Sequence, residues 1–131
     1  MEKIRLFIIS LFAFCMFMPD AMIAQERYQV GVCDWMVLKR QKLGEFELAK
    51  QLGCDGIEMD MGSLGTREMF DNKIRDPKEA AIFKRTADSL GIKVGAVAMS
   101  GFYAQDLSKK DTYMALAEDC FDTMDKMGQT T

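Results

Sequence analysis

Hydrophobic positions along this chain change period several times, and each change marks an element. Val30 and Val32 fall on one face of a strand predicted from Tyr28 to about Cys33, which ends in the polar and aromatic pair Asp34-Trp35. From Gly44 to Leu52 the period lengthens to that of a helix. Phe46, Leu48, Ala49 and Leu52 make its apolar stripe, and Glu45, Glu47, Lys50 and Gln51 are expected to face water. A second strand over Gly56 to Met61 is apolar except for Glu58 and Asp60, whose spacing points both carboxylates to one side. Asp76 as N-cap, Pro77 at the first helical position and Glu79 completing a capping box start the next helix, with Ala80, Phe83, Ala87 and Leu90 inward. Lys93 to Met99 shows no alternation, as expected of a parallel strand covered on both faces. A last helix from about Asp111 carries Tyr113, Leu116, Ala117, Cys120, Phe121, Met124 and Met127 opposite Glu118, Asp119, Asp122, Asp125 and Lys126.

The helices stop at Leu52-Gly53, Leu90-Gly91 and Met127-Gly128, with the glycines 38 and 37 residues apart. The repeated unit is helix, tight turn, strand, and such units pack chiefly as a closed (β/α) barrel or an open doubly wound sheet. Helix-to-strand turns are short. The strand-to-helix links, about Asp34 to Leu43, Gly62 to Arg75 and Ser100 to Lys110, are long and share the edge at the strands' C-terminal ends, where both folds build their sites. Cys33-Asp34-Trp35-Met36 provides neither GxGxxG nor GxxxxGK, which favours the barrel and argues against dinucleotide binding. The 131 residues fall short of the roughly 250 of a full barrel, so the fold expected is α/β, the first three βα units of a partial (β/α)8 TIM barrel over residues 25–131.

Residues 1–24 carry a different pattern. Lys3 and Arg5 precede an apolar run from Leu6 to Met18, and Ala24 before Gln25 offers a cleavage point, so a signal peptide and a periplasmic or secreted protein are expected. The run is too short to span a bilayer, and no membrane association is expected after cleavage. Residues 1–24 hold two charges of each sign, so the net charge of −3 survives their removal and attracts no nucleic acid. Cys33, Cys54 and Cys120 lack CxxC spacing and indicate neither a disulfide framework nor a zinc site; they read as small buried residues, though one pair could oxidise. Histidine is absent, which excludes a Ser/His or Cys/His catalytic pair and any imidazole ligand within these residues.

At the long-loop edge, Asp34, Trp35, Glu58, Asp60, Ser100, Phe102 and Tyr103 are expected to converge on one pocket mouth. Carboxylates bind hydroxyls and move protons, and aromatic rings stack on sugar faces, so the set suits a sugar or polyol. Each has a plainer reading as well: Glu58 as an acid paired with a neighbouring cation, Asp60 as a cap facing a loop, Trp35 as packing.

The run LAKQLGCDGIEMDMG and, one unit later, FKRTADSLGIKVGAVAMSG resemble the first three βα units of the xylose-isomerase-like TIM barrels, the sugar phosphate isomerase/epimerase family, over about Val30 to Gly128. The GCDGIE stretch ending at Glu58 is its most specific part. The resemblance implies a divalent-metal enzyme, using Mn, Mg or a similar ion, that moves protons between adjacent carbons of a sugar through an enediol-like intermediate. The family's metal ligands, two Glu, one Asp and one His, lie on later strands. This chain is therefore expected to carry substrate-contacting loops, no catalytic or metal residues, no bound metal of its own, and exposed apolar faces that promote association. A noncatalytic carbohydrate-binding or assembly module is the alternative. Endonuclease IV-like phosphodiester cleavage is disfavoured by the acidic balance and the export signal.

Overall fold

Gly53, Gly91 and Gly128 all adopt left-handed backbone, with φ of 75°, 68° and 74°, so the punctuation seen in the sequence is a real set of helix ends. The computed structural model describes residues 27–129 apart from 39 and 104; the signal peptide expected over residues 1–24 lies outside the described residues. In chain order come β1 (Gly31–Cys33), α1 (Asp34–Val37), α2 (Gly44–Gln51), β2 (Gly56–Asp60), α3 (Pro77–Leu90), β3 (Lys93–Ala98) and α4 (Tyr113–Lys126). Single 3-10 turns at Lys73–Arg75, Ser100–Phe102 and Leu107–Lys109 lie in the links. The protein is thus a mixed α/β structure with four α-helices among the described residues.

The sheet is parallel throughout, in the order β1-β2-β3. Val32 pairs with Ile57 and Ile57 with Val94, then the register shifts so that Glu58 pairs with Ala96 and Asp60 with Ala98. Gly95 is the extra residue at that shift, a place where a missing side chain lets two strands change step. The helices cover the face that carries Val32, Ile57, Met59 and Val94. There Phe46 and Ala49 of α2 meet Phe83 and Ala87 of α3, and the Phe46 and Phe83 rings stand edge to face with centroids 6.0 Å apart. A second cluster, Met61, Leu64, Phe70, Leu116 and Cys120, joins the link after β2 to α4. The opposite face, with Gly31, Cys33, Glu58, Gly95 and Ala96, is not covered by any described helix.

Several expectations are corrected. β1 begins at Gly31, because Tyr28 and Val30 are exposed and make no strand pairing. The link after β1 contains α1. β3 has one covered face rather than two, with Lys93 and Gly95 open to solvent. Asp76 caps α3 by accepting the Lys78 N–H at 2.9 Å, but its own N–H bonds to the Lys73 carbonyl, so the capping box is not closed by Glu79. Leu52 and Phe121, expected inward, are exposed. Glu45 and Asp119, expected in water, are buried, because partners from other segments reach them.

Between β2 and α3 the chain must turn at once, and Gly62 does this with φ of 91° beside the Asp71 carbonyl. A Cβ at Gly62 would lie 2.3 Å from that oxygen, whereas one at Gly53 would meet nothing within 4 Å. Gly62→Ala is therefore expected to cost about 2–4 kcal/mol in urea unfolding, against about 1 kcal/mol for Gly53→Ala, where only backbone strain is added. Equal costs at the two positions would contradict this account of the turn.

Candidate functional site

β2 ends in a carboxylate that no solvent reaches. Asp60 Oδ1 accepts the Gly62 N–H at 2.8 Å and pairs with Arg40 Nε at 2.8 Å, and Oδ2 accepts the Ser100 N–H at 3.1 Å. Its backbone is used as well: its N–H donates to Asp34 Oδ2 at 3.1 Å and its carbonyl accepts Gln41 Nε2 at 2.9 Å. One residue thereby fastens the links after all three strands. Arg40 extends the connection by donating from Nη2 to Ser100 Oγ at 3.0 Å.

Asp34 starts α1 and is fully buried. Its Oδ2 also accepts the Gln41 N–H at 2.9 Å, while Oδ1 has no protein partner among the described residues. Gln41 has φ of 50°, a left-handed conformation that costs a non-glycine residue roughly 1 kcal/mol. The strain is offset by its hydrogen bonds: Nε2 donates to Asn72 Oδ1 at 2.8 Å, and Oε1 accepts the Lys73 N–H at 2.6 Å. Asn72 passes the network on to Thr123 and Asp119, and Asp119 is paired with Arg75 at 2.8 Å.

The sequence-predicted residues are therefore distributed over several places. Asp34, Asp60 and Ser100 come together as a buried network. Trp35 lines a separate pocket of about 370 Å³ with Arg40, Lys42, Ser63, Asp71 and Lys73. Phe102 stacks edge to face on Phe70 at 5.8 Å and, with the exposed Tyr103, borders a hollow of about 300 Å³. Glu58 stands on the uncovered sheet face, in a concavity of about 800 Å³, and Oε2 accepts the Cys33 thiol at 2.8 Å. The expected single pocket mouth is corrected to three concavities, with Asp34 and Asp60 in none of them. Burial and the neighbouring Glu58 push the Cys33 thiol up to about 11, so it is an un-ionised donor. The cysteines at 33, 54 and 120 are free thiols.

Sequence reasoning missed Arg40, Gln41 and Glu45. Arg40 and Gln41 sit in a link without periodicity, and no spacing rule pairs them with Asp60. Glu45 shares the polar side of α2 with Glu47, but it lies where Lys42 N–H bonds Oε2 at 2.9 Å, and its Oε1 is left without a partner. Among the described residues no group of three or more His, Cys, Asp or Glu could hold a metal ion. The Asp60 oxygens are already taken by N–H donors and Arg40, so Asp60 itself is not open to a metal ion. No described helix is long and apolar enough to cross a membrane. Comparison with family models, curated proteins and solved structures finds no match.

Burial, reinforced by the charge of Asp34, pushes Glu45 from 4.5 up to about 8, and burial raises Asp34 as well. Between those two values the folded protein holds a proton that the unfolded chain has released. Stability from this group is complete below the unfolded value and declines as pH rises through the folded one. The Tm is expected to fall by several degrees between about pH 5 and about pH 8, and Glu45→Gln to remove most of that slope. A slope unchanged by the substitution would show that Glu45 is not its source.

Proposed function

We propose that these residues are the first three βα units of a xylose-isomerase-like (β/α)8 barrel, in an exported protein that isomerises or epimerises a sugar or polyol. The reading is supported by a one-sided sheet and by the link that follows β1. Sequential order with the described helices on one face is shared by a barrel and by the first half of a doubly wound sheet, and the lack of a glycine-rich phosphate loop after β1 favours the barrel. The other face is lined by Gly31, Gly56, Gly95 and Ala96, small residues suited to a barrel interior, with Glu58 as its acid. All three long links meet at the C-terminal edge, where barrels place their sites.

In this reading the described residues bind and orient substrate. Glu58 accepts hydrogen bonds from ligand hydroxyls on the uncovered sheet face, Trp35 offers an apolar ring face in its own pocket, and the Asp60 network fixes the links at the strand ends. Proton transfer between carbons is left to groups outside the described residues, and no step is assigned to a metal here. The leader pattern at residues 1–24 supports export.

The test is deuterium exchange from D2O into a panel of free sugars and polyols, with Mn²⁺ or Mg²⁺ added, by the complete gene product. Exchange at a carbon next to a carbonyl is expected, and Glu58→Gln should raise KM by roughly tenfold with kcat little changed, as for loss of one hydrogen bond to a charged group. Sugar binding without exchange would favour the noncatalytic carbohydrate module. Failure to bind any sugar or polyol would overturn both.

A further inference from the structure

The pocket beside Trp35 has a charge character that a neutral sugar does not need. Its walls bring together Arg40, Lys42 and Lys73 with Asp71 as the acid, around a volume of about 370 Å³, which is the size of a small-ligand site. Two of the cations are fixed in place. Arg40 is braced by Asp60 through Nε at 2.8 Å and by Ser100 through Nη2 at 3.0 Å. Lys73 Nζ donates to the Gln41 carbonyl at 2.9 Å, and its backbone is held by the Gln41 side chain. The loops that carry these groups are the ones fastened by Asp60, so the cations are oriented before any ligand arrives, which lowers the ordering cost of binding.

Charge decides which anion fits. Arg40 is matched by the buried Asp60, and Asp71 offsets one of the two lysines, which leaves about one uncompensated positive charge at the pocket. That balance suits a monoanion and is poorly matched to a phosphate dianion. We infer that the pocket beside Trp35 is a carboxylate-binding subsite, and that the protein's ligand is a small polyhydroxylated acid of the aldonate or uronate class. The inference deepens the proposed sugar reading and rests on it for the polyol part alone. Trp35 supplies the ring against which the ligand's carbon chain lies, while Lys42 and Lys73 donate to the carboxylate.

Trp35 is the one tryptophan in the chain, so its fluorescence reports directly on this pocket. The experiment titrates the full chain with gluconate, glucuronate, glucose, glucose 6-phosphate and inorganic phosphate, following Trp35 emission at low and at moderate salt. Gluconate or glucuronate is expected to bind at least about tenfold tighter than glucose and tighter than either phosphate, with affinity falling as salt rises. Lys42→Gln and Lys73→Gln should each weaken the acid by about five- to tenfold and leave glucose unaffected, while Lys50→Gln on the exposed side of α2 changes nothing; circular dichroism verifies that each variant is folded. Glucose binding as tightly as the acids, phosphates binding tighter than the acids, or lysine variants that bind the acids normally would each overturn the inference. The two proposals fail separately. Acid binding without proton exchange on any polyol leaves the subsite and removes the isomerase, whereas exchange on neutral sugars with no preference for acids does the reverse.

Discussion

The carboxylate of Asp60 is the point on which this structure turns. Strand C-terminal ends leave backbone N–H groups of the following links without sheet partners, and a buried N–H without a partner costs about 1–3 kcal/mol. Asp60 answers this for two links at once, at Gly62 and Ser100, and holds the third through Arg40 and through the Asp34 carboxylate on its own N–H. A buried anion is itself expensive to desolvate, so the arrangement is stable only because its oxygens receive two N–H groups and a guanidinium. The geometry of the whole edge follows from that requirement.

The same requirement sorts the acids by role. Asp60 is consumed in tethering and Asp34 is half consumed, so neither is presented to solvent. Glu58, two residues before Asp60 in β2 and with its side chain partly exposed, is the acid left facing the uncovered side of the sheet. Arg40 acts in both worlds: its Nε neutralises Asp60, and its guanidinium forms part of the wall beside Trp35. Burial of an acid under the loops thus becomes a fixed cation above them, which is how a stability element can shape a binding surface.

Local signals made most of the fold legible in the sequence. Glycine at 53, 91 and 128 was readable because each ends a periodic helix and each needs positive φ, and Asp76-Pro77 because a cap and a fixed φ act within one turn. What was not legible depends on distant partners. Glu45 and Asp119 resemble their solvated neighbours until Lys42, Asn72 and Arg75 are placed beside them. Phe121 carries the helical spacing of a core residue yet is exposed, since the sheet and the link after β2 reach only the side of α4 that holds Leu116, Cys120 and Thr123. For the site, residue types at the strand ends were visible, but the distribution of Trp35, Glu58 and Phe102 over different concavities was not, and neither were the contacts of Arg40 with Asp60 and Ser100, which come from a link without periodicity.

The direct measurement of the central claim is native-state hydrogen exchange at the Gly62 and Ser100 amides in wild type and in Asp60→Asn. If the carboxylate fastens the links, both amides lose protection by about a hundredfold in the variant, as expected for loss of a charge-assisted bond, while the Met59 amide inside β2 keeps most of its protection. Unchanged exchange at Gly62 and Ser100 would show that the edge is held by something other than Asp60.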